Sequence, residues 1–411
     1  MRSTSVIRYL SVAVIVIILA ALSAWYFFIR AKQAAIEQAD AGRGAGLSTQ
    51  PPASPSGSTY ENIVSSLSSV FTGGEINENT KEVPRLAQVN KSPTAGAGFV
   101  GSSTSTRLRF VERGTGFIFD IAPETLALER LTNVLVPRTY EALVAENDHL
   151  IMRGIEEDGN IVTVVASIVG TSTTENARAL VQKRLPDGIR SIAIDPSGKE
   201  IFYIIGGVSG GVGTRAGWDG TKPKQIFSSA ISGWQAYWLT GERFILVQKP
   251  TNSSAGYAYE VQKDGALSPL VRNAPGLTFL PHPSSRTLLY GASGGGLALF
   301  VRISGTSTTA SLPIRTIADK CVWAPGPQLV AYCAVPQTQP SPGFLDQWHR
   351  GEVHTADAWW RVDASAASAE LLFSPGNTTL DVENPLIDKQ GEYIAFMNSI
   401  DKSLWLLRVA E

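Results

Sequence analysis

Short apolar strand patterns separated by polar turns run through most of the chain. The clearest units read SIAIDPSGKEIFYI at 191–204, CVWAPGPQLVAYC at 321–333 and PLIDKQGEYIAFM at 385–397. In each unit a turn containing Pro, Asp or Gly separates two strands, which is the sequence signature of a β-hairpin. Turns of this type recur near residues 103, 147, 197, 241, 284, 326 and 390. The pattern therefore predicts a β repeat protein.

The spacing of the repeat predicts an all-β fold, a seven-bladed β-propeller over residues 83–411. The first six turns recur about every 40–50 residues, which is the length of a four-stranded propeller blade, and the last step is longer by about 20 residues. Six and eight blades stay open as alternatives, because the first two turns lack a Pro-Asp-Gly sequence. Only three strands fit in the last unit, and an open sheet edge favours aggregation. We therefore expect the strand pattern at 83–90 to close the last blade.

The hairpins at 321–333 and 385–397 resemble the Pro-Asp-Gly hairpin of TolB-like propeller repeats. The match covers the inner hairpin of most units and is weaker in the first two, where GSSTST and AENDH replace the turn. The chain also looks like uncharacterised membrane-anchored propellers of bacteria with very small genomes. This resemblance implies a propeller fold and a place in the cell envelope. It carries no assigned activity and no site residues.

A long apolar segment near the N-terminus predicts a membrane anchor. Residues 9–29 read YLSVAVIVIILAALSAWYFFI without a charge, and about 20 such residues cross a bilayer. A cleaved signal peptide is the alternative, but the apolar run exceeds a normal signal sequence. We expect a short cytoplasmic N-terminus at 1–8, a transmembrane anchor at 9–29 and an extracytoplasmic large domain. The segment 30–82 is predicted to be a flexible linker with a short amphipathic helix at 60–71.

The charge balance and the cysteines of the chain limit the partners and the compartment that we expect for it. The chain has 35 Lys and Arg against 36 Asp and Glu, and its net charge is −1. Proteins that bind nucleic acid usually have an excess of Lys and Arg clustered on one face, and this chain has no such excess. Nucleic acid is therefore not an expected partner. The two cysteines, Cys321 and Cys333, are predicted to lie opposite each other in one hairpin. They either form a cross-strand disulfide, which requires an oxidising compartment, or pack as two reduced core residues.

Two irregular segments interrupt the repeat, a Gly-rich stretch at 206–217 and a long stretch at 336–356. Both are predicted to connect the second strand of a blade to its third, which places them on one face of the propeller. Binding residues concentrate on loops that a rigid scaffold holds. The candidate binding residues are therefore Trp348, His349, Arg350, His354, Arg215 and Trp218. For Trp348, an exposed interface anchor and a side chain packed back onto the protein are equally open.

The stretch 336–356 and its end also concentrate carboxylates and imidazoles, which are ligands for zinc and related ions. These residues are Asp346, His349, Glu352, His354 and Asp357. Their spacing matches no standard metal motif, so we predict no metal and no cofactor.

No cluster of residues in the sequence defines a reaction, and no catalytic residue is assigned. The expected function is that of a non-catalytic, membrane-anchored extracytoplasmic propeller that binds an envelope protein or glycan through its loop face. The alternative is an envelope hydrolase or lyase that acts on glycans near the central channel, where paired carboxylates would be needed. Asp195, Asp319 and Asp388 are near inner-strand positions, although Asp195 also suits a turn cap.

Overall fold

Seven four-stranded antiparallel sheets make up the part of the protein that the structure describes. The structure, a computed structural model, describes residues 83–102, 105–170, 177–207, 210–306 and 308–410. The predicted all-β, seven-bladed propeller is therefore confirmed. The anchor predicted at 9–29 and the linker at 30–82 lie outside the described residues. Within the described ranges, no helix is long and apolar enough to cross a membrane.

The first four blades each take four consecutive strands, which run from the innermost to the outermost position. The strands of blades 1 and 2 are β2 (Thr94–Ser102), β3 (Ser105–Glu112), β4 (Ile118–Ile121), β5 (Leu128–Arg130), β6 (Thr139–Val144), β7 (His149–Ile155), β8 (Ile161–Val169) and β9 (Ala179–Arg184). Those of blades 3 and 4 are β10 (Ile189–Ile194), β11 (Glu200–Gly207), β12 (Gly210–Gly217), β13 (Lys224–Ser229), β14 (Trp234–Leu239), β15 (Arg243–Gln248), β16 (Ala255–Val261) and β17 (Leu267–Pro275).

The last three blades contain the strands of the second half of the ring and one α-helix. Blade 5 contains β18 (Thr278–Pro281), β19 (Leu288–Ala292), β20 (Ala298–Arg302) and β21 (Thr309–Ser311). Blade 6 contains β22 (Cys321–Trp323), β23 (Val330–Pro336), helix α1 (Phe344–His349), β24 (Asp357–Asp363) and β25 (Ser368–Phe373). Blade 7 contains β26 (Val382–Ile387), β27 (Tyr393–Asn398) and β28 (Leu404–Arg408), and its fourth strand is β1 (Leu86–Asn90).

The ring is closed by a strand from the N-terminal end of the propeller. Strand β1 pairs antiparallel with β28, and Leu86 and Ala87 face Leu407 and Leu406 in the register. This strand lies within the segment 83–90 that the sequence analysis expected to complete the last blade. The pairing satisfies the outer edge of β28, which would otherwise expose a row of unpaired backbone groups.

The turns between the first two strands of the blades explain the recurring Asp-containing sequences. The Asp195 carboxylate accepts hydrogen bonds from the backbone N–H groups of Ser197, Lys199 and Glu200. At the equivalent turn of blade 7, Asp388 Oδ1 accepts from the backbone N–H groups of Glu392 and Tyr393. Short polar side chains that bond their own backbone stabilise such turns. Asp195 and Asp388 are therefore turn residues.

Strand alternation gives the propeller two different faces. The turns from the first to the second strand of each blade lie on one side, which we call the turn face. The connections from the second to the third strand, and from one blade to the next, lie on the other side, which we call the loop face. Each loop that could bind a partner therefore lies on either the turn face or the loop face.

A disulfide joins the inner hairpin of blade 6. Cys321 and Cys333 are direct partners in the register of β22 and β23, and their sulfur atoms are bonded. Both residues are buried. Of the two alternatives for these cysteines, the structure contains the cross-strand disulfide.

Candidate binding site on the loop face

The stretch 336–356, which we call the blade 6 insertion, forms an ordered cap on the loop face. It connects β23 to β24 and contains helix α1. One side of the helix is apolar: Phe344, Leu345 and Trp348 are buried in a cluster with Ile317. An amphipathic segment of this kind is held in place by burial of its apolar side.

A fully buried group of charges lies directly below the insertion. Lys320 Nζ lies 2.6 Å from Asp357 Oδ2 and 2.5 Å from Asp381 Oδ1, and none of the three side chains is exposed. The ammonium group also donates to Thr355 Oγ1 at 2.8 Å. We call Lys320, Asp357 and Asp381 the buried charge cluster.

The insertion is attached to this cluster through an indole. Trp348 Nε1 donates to both carboxylate oxygens of Asp381, at 2.9 and 3.0 Å. The Lys320 ammonium lies 5.1 Å from the centroid of the Trp348 ring, within the range of a cation–π interaction. Because Asp381 precedes the first strand of blade 7, these contacts connect the insertion to the neighbouring blade.

The electrostatics of the cluster depend on its internal pairing. Burial by itself raises the pKa of Asp381, but the charge and hydrogen bond of Lys320, together with the hydrogen bonds of Trp348 and His354, outweigh burial, so the net effect is a lowered pKa. Moving a lysine and two aspartates out of water costs several kcal/mol per ion, and only complete pairing offsets this. The backbone N–H of Val382 adds a 2.8 Å hydrogen bond to Asp357 Oδ2. The cluster therefore fixes the insertion in one position.

The outer side of the insertion is polar. His349 and Arg350 are exposed, and Arg350 pairs with Glu352 at 2.6 Å. His349 Nδ1 lies 2.8 Å from the Leu345 carbonyl oxygen, which leaves Nε2 pointing away from that contact. Asp346 Oδ1 accepts a hydrogen bond from the backbone N–H of the blade 4 loop at Asn252, at 2.9 Å. The helix therefore reaches across the loop face from blade 6 to blade 4.

A cavity of about 770 Å³ occupies the centre of the ring. All seven inner strands contribute to its lining, and Trp348 and His349 line it from the insertion. Its ionisable lining residues are Glu141, Arg153, Arg190, Lys249, Asp319, Glu383 and His349. A cavity of this size matches the 300–1,000 Å³ that is typical of small-molecule sites.

Asp319 is the carboxylic acid of this cavity with the most unusual surroundings. Its Oδ2 atom is buried and has no hydrogen-bond partner among the described residues. Burial raises the pKa of Asp319, against the opposing effect of the charges of His349 and Lys320. Of the three acids near inner-strand positions, Asp319 alone lines the cavity, since the other two cap turns.

The described residues of the Gly-rich stretch 206–217 lie in strands, whereas the sequence predicts a loop there. Strands β11 and β12 run through it and pair from Glu200↔Gly217 to Gly207↔Gly210. Arg215 and Trp218 therefore lie at the turn-face end of β12, away from the blade 6 insertion. The prediction that they share a face with Trp348 is wrong.

Arg215 and Trp218 both connect neighbouring blades on the turn face. The Arg215 guanidinium pairs with Glu200, donates to Glu242 at 2.9 Å and lies over the Trp238 ring. Trp218 is buried, and its ring stacks on that of His149, with centroids 4.5 Å apart. These contacts indicate that Arg215 and Trp218 stabilise the interfaces between neighbouring blades.

The remaining predicted residues lie in or beside the insertion. Trp348 is 7% exposed, so its side chain packs back onto the protein and is not an exposed interface anchor. Its hydrogen-bond partner is Asp381. His354 is partly exposed, and its Nδ1 lies 2.9 Å from Asp381 Oδ2. His349 and Arg350 are at the surface.

The five residues considered as metal ligands bind separate partners. These are Asn252 for Asp346, Leu345 for His349, Arg350 for Glu352, Asp381 for His354 and Lys320 for Asp357. In the part of the chain that the structure describes, no three His, Cys, Asp or Glu side chains are grouped to hold a metal ion.

The structure also brings together residues that the sequence analysis did not select. Lys320 and Asp381 hold the insertion, and Arg190 and Lys249 line the cavity. A charged residue at the start of an apolar strand, as in the sequence ADKCVWAP, is the one local signal of Lys320. Asp381, Arg190 and Lys249 have no such signal, because a charged side chain at each of these positions in the sequence would normally be exposed to solvent.

Fold and site together define a seven-bladed β-propeller whose central cavity is capped on one face by a fixed insertion. No family model and no curated protein matches the sequence. Among solved structures, YCF48 from Cyanidioschyzon merolae is similar, with a TM-score of 0.51 and 11% identity over 79% of this chain and 98% of that chain. At such an identity the similarity shows the fold alone.

Two further structures are similar at a lower level. An oligogalacturonate lyase in complex with manganese has a TM-score of 0.48 and 9% identity, over 78% of this chain and 97% of that chain. TolB from Acinetobacter baumannii has a TM-score of 0.39 and 9% identity, over 76% of this chain and 63% of that chain.

Proposed function

We propose that the protein is a non-catalytic, membrane-anchored extracytoplasmic binding protein, which takes an envelope protein or glycan on its loop face. The observation that carries the proposal is the fixed blade 6 insertion at the rim of the central cavity. Its buried side is held by Trp348 and the buried charge cluster, while the exposed His349 lines the cavity and the exposed Arg350 lies on the outer side of the insertion. A rigid scaffold with a polar, exposed rim is the usual arrangement of a binding surface.

The cost of the buried charges supports this assignment. An apolar cluster of equal volume generally stabilises a fold as well as a buried ion pair does, or better. Lys320, Asp357 and Asp381 nevertheless occupy the junction between the insertion and blade 7. Charges in such a junction specify one geometry for the insertion, which a binding surface needs and a simple connection does not.

The location outside the cytoplasm is proposed on two grounds. Disulfides persist in oxidising compartments, and the bond between Cys321 and Cys333 is of the structural kind, buried in a hairpin. The apolar segment 9–29 of the sequence supplies the proposed anchor.

A hydrolase or lyase is the second candidate, and Asp319 is the observation in its favour. A buried carboxyl group with a raised pKa is suited to donate a proton at neutral pH. Glu141 and Glu383 are the other carboxylates of the cavity, and a salt bridge neutralises each of them. If the protein is a glycan-cleaving enzyme, Asp319→Asn should abolish turnover of envelope glycans; a binding protein shows no turnover to lose.

Site-specific crosslinking in cells tests the binding proposal. A photo-reactive amino acid is placed at Arg350 on the loop face and, as a control, at Lys199 on the turn face; both positions are exposed. We expect a discrete adduct from position 350 and none from position 199, with mass spectrometry naming the partner. Equal adducts from both positions, or an adduct from 199 alone, would contradict the proposal.

A further inference from the structure

Two positively charged side chains of the central cavity have no partner in the described part of the protein. Arg190 and Lys249 line the cavity and are exposed, and neither makes a hydrogen bond or ion pair through its side chain with a described residue. By contrast, Arg153 in the same lining is paired with Glu141 at 2.5 Å.

The two unpaired cations lie on neighbouring parts of the wall. Ser191, next to Arg190, accepts a hydrogen bond from the backbone N–H of Ala236 at 2.9 Å, which joins β10 to β14. The backbone N–H of Lys249 donates to the carbonyl oxygen of Gly233, directly before β14, at 3.0 Å. Both side chains therefore start next to the same inner strand.

The backbone beside Arg190 is shaped to receive its side chain. An ideal Cβ atom added to Gly206 would lie 2.6 Å from Arg190 Cγ, closer than two carbons can approach. The glycine therefore leaves the space through which the stem of Arg190 passes. Glycine in a strand often marks a close approach of this kind.

The carboxylates of the cavity do not balance these two charges. Arg153 neutralises Glu141, and Lys402 neutralises Glu383. Burial favours the neutral form of the third acid, Asp319, whose carboxyl group can then donate a hydrogen bond. The cavity thus carries an excess of positive charge on the wall of blades 3 and 4, with a polar group opposite in blade 6.

From this arrangement we infer that the central cavity binds a small anionic ligand, a carboxylate or a phosphate, with Arg190 and Lys249 as its charge partners. Charge-assisted hydrogen bonds of Arg and Lys to such groups are short and strong. A cavity of about 770 Å³ has room for a molecule of the size of a sugar acid and its waters. The inference rests on the proposed function, because it names the ligand class of the same loop-face site.

Calorimetric titration of the purified full chain tests the inference. The probes are inorganic phosphate, citrate and glucuronate, which separate the phosphate source from the carboxylate source, with glucose as the neutral control. We expect at least one anion to bind with a Kd below about 1 mM and glucose not to bind. Affinity should fall as salt is added, since exposed charges are screened.

Variants decide whether the cations of the cavity are responsible. Arg190→Gln and Lys249→Gln should each weaken binding by about tenfold, the effect of losing a charge-assisted contact. The control Lys199→Gln removes a charge from the turn face and should leave the affinity unchanged. All three side chains are exposed, so these variants keep the fold.

The inference is overturned if none of the three anions binds, or if binding survives in the Arg190→Gln, Lys249→Gln double variant. This failure differs from failure of the proposed function. If crosslinking from position 350 captures a partner while no anion binds, the binding function stands and the ligand class is wrong.

Discussion

The Gly-rich stretch 206–217 and the blade 6 insertion have similar sequence signals and opposite structures. Both interrupt the hairpin repeat, and both were expected to be loops of one face. In its described residues the first is a regular pair of strands, β11 and β12. The second is a long connection with its own helix, fixed to the propeller by buried charges. A break in a sequence repeat therefore need not be a break in the structure.

Close packing against aromatic rings explains why glycine occurs in the stretch 206–217. Gly213 in β12 is buried, and a Cβ atom there would overlap the ring of Phe227 and lie 3.0 Å from Phe202. The two rings, 6.2 Å apart, fill the space that a side chain would take. Here glycine serves close packing in a sheet, and its flexibility plays no part.

Pairing of buried charges explains why the blade 6 insertion has a fixed structure. The segment is rich in Pro and polar residues, which is typical of a mobile loop, but Trp348 and the buried charge cluster attach it firmly. The polar groups of Trp348 and His354 both pair with the buried Asp381, which offsets the cost of removing them from water. The two stretches teach that loop-like composition predicts irregular structure only where no neighbour fills the space or pairs the charge.

The largest effect is expected from removing the central cation of the insertion. Lys320→Met leaves Asp357 and Asp381 buried without their counter-ion, which costs about 3–5 kcal/mol in other proteins. The free energy of unfolding, measured in urea at pH 7, should fall by that amount. The control Lys263→Met changes an exposed lysine and should leave it within about 0.5 kcal/mol. A loss below about 1 kcal/mol for Lys320→Met would show that the insertion is held by other contacts.

A smaller effect is expected from adding a methyl group to the Gly-rich stretch. Gly213→Ala forces the new Cβ atom into Phe227 and should destabilise the fold by about 1–3 kcal/mol, as overpacked cores do. Gly207→Ala in the same stretch is the matched control, since no described heavy atom lies within 4 Å of its added Cβ. Equal urea midpoints for the two variants would mean that the stretch is a flexible loop after all.

The fold was predictable because its signals are local. Period-two strands and turn residues such as Asp195 lie within a few positions of one another, and the seven predicted turns correspond to the seven inner hairpins. The cysteine pairing was also local, since a hairpin register places Cys321 opposite Cys333. Closure of the ring by the segment at Leu86–Asn90 followed from one sheet edge that lacked a strand.

The candidate site was only partly predictable, because its contacts are remote in sequence. Lys320 is separated from Asp357 by 37 positions and from Asp381 by 61, so no spacing rule connects them. The same holds for the cavity, where Arg190 and Lys249 are 59 positions apart in sequence and both lie next to β14. The insertion itself was found from the break in the repeat, but the burial of Trp348 depends on a partner in another blade.

The smallest effect is a change in how stability depends on pH, and it separates charge pairing from simple packing in the insertion. Lys320, together with the hydrogen bonds of Trp348 and His354, holds the pKa of Asp381 below the ordinary value of 3.8 against the effect of burial. A group with a lowered pKa in the folded state contributes stability above the unfolded pKa and loses it as the pH falls through the folded pKa. The wild type should therefore lose more stability than Lys320→Met between pH 5 and about pH 2, the range in which aspartates titrate. The gap between the two urea unfolding curves should therefore narrow as the pH falls through this range. Lys263→Met should run parallel to the wild type; a constant gap for Lys320→Met would mean that packing of the lysine stem, and not its charge, holds the insertion.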